Sequence, residues 1–165
     1  MRHRCLVSIC DKYIPGYYSP GMEAIQLDGD ILLGLLKRVS PGAHRHLAKQ
    51  GVEPILFMTE WFLCAFARSL PWPTVLRVWD MFMCEGVKVS RARWHYLLSS
   101  NEPNLSFCIS KVLFRVGLVL IKFTLTKQVR KGCPSMYETL EALKNPPAAV
   151  TEEDFLVEQV SLDKG

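Results

Sequence analysis

Arg77 and Asp80 stand three residues apart in an otherwise apolar stretch, SLPWPTVLRVWDMFMCEG, that runs from Ser69 to Gly86. On a helix that spacing puts both side chains on a common edge, so the pair is either a catalytic couple or an internal brace. A guanidinium on a mostly buried helix needs a partner, because an unpaired buried charge is costly, and the pair therefore reads as a brace. Asp28 and Asp30 could do general acid–base work, but carboxylates that follow a loop more often cap helices, and Asp28 reads as an N-cap within the segment Met22 to Ser40. His44 and His46 point in different directions on a helix and make poor metal geometry. With Arg45 they read as a solvated basic face. Six cysteines at positions 5, 10, 64, 84, 108 and 133 form no CxxC and have no histidine at zinc-finger spacing, so they read as free, mostly buried thiols of a cytoplasmic protein. Neither a phosphate-cradling GxxxxGK[ST] loop nor a local nucleophile–base motif occurs. No catalytic, cofactor-binding or metal-ligating residue is assigned from the residues alone.

The elements that must carry these residues all have helical spacing, and no alternating strand pattern or internal repeat interrupts them, so the expected class is all-α. Cys5 to Ile14 reads as the end of a helix broken by Pro15-Gly16, followed by a loop with Tyr17 and Tyr18 as aromatic anchors. Met22 to Ser40 places Ile25, Leu32, Leu35, Leu36 and Val39 on one face. Pro41 opens a helix to Gln50, and Gly51 closes it. A helix opening at Thr59-Glu60-Trp61 carries a wide stripe of Trp61, Phe62, Cys64, Ala65, Phe66 and Leu70. Another begins near Thr74 after two prolines, with Val75, Leu76, Trp79, Phe82 and Met83 on its apolar face. Val112 to Thr126 is too short and too charged to span a bilayer and reads as a buried helix. Ser135 to Asn145 and Thr151 to Val160 are short amphipathic helices.

At 165 residues and 49% hydrophobic content the chain is long enough to bury a core. Its net charge of +4 is spread along the sequence without a basic run, which does not favour nucleic acid as a partner. The basic start Met1-Arg2-His3-Arg4 is followed by too short an apolar run to be a secretory leader.

Leu76-Arg77-Val78-Trp79-Asp80 with Glu85-Gly86 resembles the R-x-W-D…EG signature late in TBC domains, the GTPase-activating domains for Rab small GTPases. The resemblance continues in order through Asp11 to Tyr18, Glu23 to Gly29, Thr59 to Phe62, Phe66 to Pro71, Phe114 to Leu118, Met136 to Thr139 and Glu153 to Val157, and it is similar to the member 10 subgroup. It implies the C-terminal helical half of a TBC domain over residues 5–160, with tails at 1–4 and 161–165. Between Lys88 and Val112 the family pattern is interrupted by Val89 to Lys111; removing them restores a continuous EGVK-VLFRVG. The codons this insert could use resemble splice sites, so it reads as an in-frame retained intron, the other reading being a real inserted helix around Trp94 to Leu98.

The family acts with an arginine finger in I-x-x-D-x-x-R and a glutamine finger in Y-x-Q. Here Ile25-Gln26-Leu27-Asp28 is followed by Ile31 where the arginine belongs, and none of Tyr13, Tyr17, Tyr18, Tyr96 or Tyr137 is followed two positions later by Gln. The resemblance thus implies a vesicle-trafficking Rab activator that is not itself a hydrolase, needs no cofactor, and is truncated and inactive without both fingers. Its implied partner is a Rab small GTPase, which would bring the protein to membranes peripherally. The competing readings are a non-catalytic fragment that binds a Rab or another protein through exposed apolar surface, and an incomplete gene model.

Overall fold

The ridge of proline, glycine and serine positions between apolar segments sets where the helices stop. In the computed structural model, which describes residues 7, 9, 10, 14, 16–18, 20–85 and 111–162, nine helices follow one another: α1 Glu23–Val39, α2 Pro41–Gln50, α3 Ile55–Leu63, α4 Trp72–Glu85, α5 Lys111–Thr124, α6 Lys127–Gly132, α7 Met136–Lys144, α8 Ala148–Thr151 and α9 Glu153–Leu162. The described residues contain no strand, as an all-α class requires.

Ser40 shows how one junction is built. The residue before a proline is pushed out of the α region, and Ser40 sits at φ −142°, ψ 77°, ending α1 while Pro41 occupies the first turn of α2. Gly51 closes α2 at φ 65°, a left-handed conformation that a side chain would strain. At α7 the Ser135 hydroxyl accepts from the Glu138 N–H while the Glu138 carboxylate accepts from the Ser135 N–H, a complete capping box.

Helix α5 is the hub. It packs against α1, α3, α4, α7, α8 and α9, and residues 112–114, 116–121 and 124 of it are buried. Phe62 of α3 meets Phe114 edge to face with ring centroids 5.3 Å apart, and Phe155 of α9 meets Phe123 at 5.1 Å. Ile25, Leu32 and Leu36 of α1 are fully buried on the same core, whereas Val39 lies 39% exposed at the helix end and Leu35 is only partly covered.

Several boundaries differ from the sequence expectation. Helix α3 begins at Ile55, not Thr59, and stops at Leu63. Cys64 to Ser69 form turns, so Cys64, Ala65, Phe66 and Leu70 do not belong to the α3 stripe. Ala65 (φ 43°) and Phe66 (φ 63°) turn left-handed, and the Phe66 N–H donates to the Trp61 carbonyl at 2.7 Å. The reversal folds the Phe66 ring back onto Trp61 and Phe62, with centroids 5.8 and 6.0 Å away, and this packing offsets the backbone strain. Helix α4 starts at Trp72, and its core face is Thr74, Val75, Val78 and Phe82; Leu76 and Met83 face outward, 44% and 43% exposed. Two short helices, α6 and α8, carry too few periodic positions to stand out in the sequence. Cys10, Cys64, Cys84 and Cys133 are free, but only Cys133 is buried and Cys84 is exposed. The tail 1–4 and all of the insert except Lys111, the first residue of α5, lie outside the described residues, as do most of the helix end expected before Ile14.

Candidate functional site

The stretch around Arg77 is a junction, and its partners lie far along the chain. Arg77 does not pair with Asp80. Its Nε–H donates to Glu153 Oε1 of α9 at 2.8 Å, with both side chains substantially exposed. The expected buried brace is therefore a surface link, because Arg77 lies on the outer side of α4, away from Val75 and Val78. Asp80 is exposed and has no ion-pair partner among the described residues. On the same helix the Trp79 indole N–H donates to the Ala65 carbonyl at 2.9 Å, and the buried Thr74 hydroxyl donates to the Thr151 carbonyl at 2.8 Å. Arg77, Trp79 and Thr74 thus tie α4 to α9, to the 64–69 turns and to α8.

Asp28 is not an N-cap; it sits inside α1 with no solvent exposure. The Tyr17 hydroxyl, itself buried, donates to Asp28 Oδ2, and Oδ1 has no donor among the described residues. Burial lifts its pKa to about 7 against the opposing effect of the Tyr17 bond. A carboxyl enclosed in this way can hold a proton near neutrality but cannot touch a substrate. Asp30, by contrast, lines an open groove of about 680 Å³ between α1, the Gly51 turn and the start of α3, where Glu53 supplies a second carboxylate over Ile25, Leu33, Leu47 and Ile55.

His44 is half-buried, and His46 is not simply solvated: its Nε2 lies 3.0 Å from Thr139 Oγ1 of α7. Its pKa is lowered by burial first, then by the nearby Arg130 and Lys49. Among the described residues no His, Cys, Asp or Glu cluster could hold a metal ion, and no helix is long and apolar enough to cross a membrane.

Along α4, Trp72, Leu76, Trp79 and Met83 recur at spacings of four, three and four, which places them in one narrow stripe. Trp72 is 61% exposed and meets Trp79 edge-on at 6.4 Å. The signature segment therefore carries a core face, a tethering edge and an outward apolar stripe.

Residues 3–129 match the family model described as RabGAP-TBC, Rab-GTPase-TBC domain. The chain belongs to the TBC family. It is 53% identical over 158 residues to TBC1 domain family member 10B of Mus musculus, covering 95% of this chain and 17% of that protein. It is 50% identical over 157 residues to TBC1 domain family member 10A of Mus musculus, covering 94% and 27%, and 43% identical over 152 residues to TBC1 domain family member whacked of Drosophila melanogaster, covering 92% and 36%. These relatives place it with the member 10 subgroup, and the chain spans only part of the length of each. No solved structure matches it.

Within a TBC domain, then, the R-x-W-D residues hold helices together: Arg77 to α9 and Trp79 to the 64–69 turns. Glu153, Thr151 and Tyr17 are the partners that reading the chain locally did not supply. Glu153 stands 76 residues from Arg77, and no periodicity relates the two. The one usable signal was that both fell in family-like segments, Leu76 to Asp80 and Glu153 to Val157. Arg68 lies on the surface turn, 73% exposed and 3.6 Å from Glu60.

Proposed function

We propose that these residues are the scaffold portion of a Rab GTPase activator, one that engages a Rab small GTPase and stimulates it only when a finger-bearing segment is joined to it. Such a protein is not itself a hydrolase; it works on the GTPase. The observation that carries the reading is the fate of the I-x-x-D segment. Ile25, Asp28 and Ile31, the positions that the finger motif would use, are all within the core, 0%, 0% and 4% exposed, so none of them can present a side chain to a nucleotide. Activators of this kind supply positive charge to the transferring phosphoryl group, worth roughly 10³–10⁵ in rate. Arg77 is held by Glu153 and Arg68 lies beside Glu60, so each already has an acidic neighbour. The working place of such a protein is the cytoplasm and the trafficking membranes where Rabs act.

The test is single-turnover GTP hydrolysis across a Rab panel, with these 165 residues alone and joined behind the finger-bearing segment of a member 10 relative. The residues alone should leave the rate unchanged and the joined protein should raise it, with the gain lost when the supplied arginine is changed to alanine. A tenfold rise with the residues alone, about 1.4 kcal/mol of barrier, would overturn the reading. Arg68→Ala would then be the first variant to make, because Arg68 is displayed on a turn.

The outward stripe Trp72, Leu76, Trp79 and Met83 favours a second reading, a protein that binds a Rab or another chain without activating it. Capture of a Rab without stimulated hydrolysis, by the joined protein as well, would select it.

A further inference from the structure

The basic residues that the sequence scatters are gathered by the fold. On α2, Arg45, Lys49 and His46 fall with Gly42 inside an arc of about 100°, opposite the buried Ala43 and Leu47. On α6, Lys127, Arg130 and Lys131 fall inside a similar arc. The two helices pack together, and the Arg130 guanidinium lies directly on Gly42, where a Cβ would collide with it. Neither helix carries an acidic residue, and none of Arg45, Lys49, Lys127, Arg130 and Lys131 has an ion-pair partner among the described residues. The ion pairs Arg68–Glu60 and Arg77–Glu153 lie on other elements. The His46 ring beside them has its pKa lowered by burial first and then by the neighbouring Arg130 and Lys49.

Helix α7 touches α2 through the His46–Thr139 contact, and the residues that open it, Met136 and Tyr137, are 43% and 74% exposed. Charges of one sign spread over two packed helices suit a broad anionic surface. An acidic peptide would need a groove to lie in, and the one described above would repel it, because Asp30 and Glu53 line it.

We propose that the α2–α6 face docks on an anionic lipid bilayer. The charges sit close to the anionic lipids. This inference does not depend on Rab activation.

The experiment is co-sedimentation of the 165-residue chain with phosphatidylcholine vesicles containing or lacking about 30% phosphatidylserine. Binding should require phosphatidylserine and weaken steeply with salt. Arg45→Gln with Lys49→Gln, and separately Lys127→Gln with Lys131→Gln, should each weaken it about 25-fold, taking roughly 1 kcal/mol per charge near such a surface. The double variant Arg68→Gln with Arg77→Gln, equal in charge lost, should stay within about twofold of the parent. All these side chains are exposed, and a thermal melt confirms that each variant is folded. The proposal fails if binding ignores phosphatidylserine, or if the Arg68/Arg77 variant weakens as much as the others. It fails equally if a single-stranded oligonucleotide or a polyglutamate peptide binds as tightly as the vesicles at the same ionic strength, which would make the face a general polyanion site.

Discussion

Two polar links hold distant parts of this molecule together, and they differ in nearly everything except chemical type. Tyr17–Asp28 lies inside the core, with both side chains cut off from water. Arg77–Glu153 lies on the surface, with side chains 57% and 37% exposed. The buried link has one strained member: a carboxyl oxygen without a donor and a pKa lifted to about 7. The exposed link is well formed at 2.8 Å and belongs to the family signature, yet water and salt compete with it on every side. Burial, and not the formal charge of the partners, sets how much each contributes.

The largest effect expected from this contrast is a pH dependence. Asp28 has a folded pKa near 7 against an ordinary value of 3.8, so the folded state holds a proton that the unfolded chain releases. Its contribution to stability is complete below about pH 4 and is lost as pH rises through about 7. The span is of the order of 4 kcal/mol at most, from 1.36 kcal/mol per unit. Asp28→Asn cannot ionise, so the difference in unfolding free energy between variant and parent should change by a few kcal/mol between pH 4 and pH 8, in favour of the variant at the higher pH. A flat difference in chemical denaturation would mean that Asp28 reaches water. Next in size is Tyr17→Phe, which removes the donor and leaves the whole carboxyl unpaired. It should cost about 1–3 kcal/mol and push the Asp28 pKa further up, readable as a shift of the same pH transition. Trp79→Phe, which deletes the half-buried N–H bond to the Ala65 carbonyl, should cost about 1 kcal/mol by denaturant melt.

How much of this was legible follows from range. The α1 and α2 boundaries, the Gly51 stop and the α7 segment were readable because each rests on residues within a turn of one another. The 64–69 reversal was not, since a helical apolar pattern continues straight through Cys64, Ala65 and Phe66, and only the packing of Phe66 on Trp61 and Phe62 breaks it. Arg77 was singled out correctly, but its partner was sought at Asp80, the neighbour that periodicity offers, and the true one comes from a helix 76 residues away. Asp28 was noticed and misplaced for the complementary reason. Its carboxyl looks like a cap locally, and only the chain's return through Tyr17 shows that it is inside the core. The basic face was invisible as a unit because α2, ending at Gln50, and α6, beginning at Lys127, lie far apart in the sequence.

The smallest expected effect is at the most recognisable residue. Arg77→Ala leaves no buried charge behind, because Glu153 keeps its access to water. An exposed pair of this kind is worth about 0.2–1 kcal/mol, and for a domain of this size that shifts the melting temperature by roughly 4 °C or less. The shift should shrink further in high salt, and Glu153→Gln should reproduce it, with the double variant no worse than either single change. In a finger-bearing TBC domain the Arg77→Ala protein, normalised to its folded fraction, should keep its stimulation of GTP hydrolysis. A fully folded variant with activity near background would break the comparison: the exposed link would then be a functional contact with the GTPase, and its position in the signature would owe more to that contact than to α9.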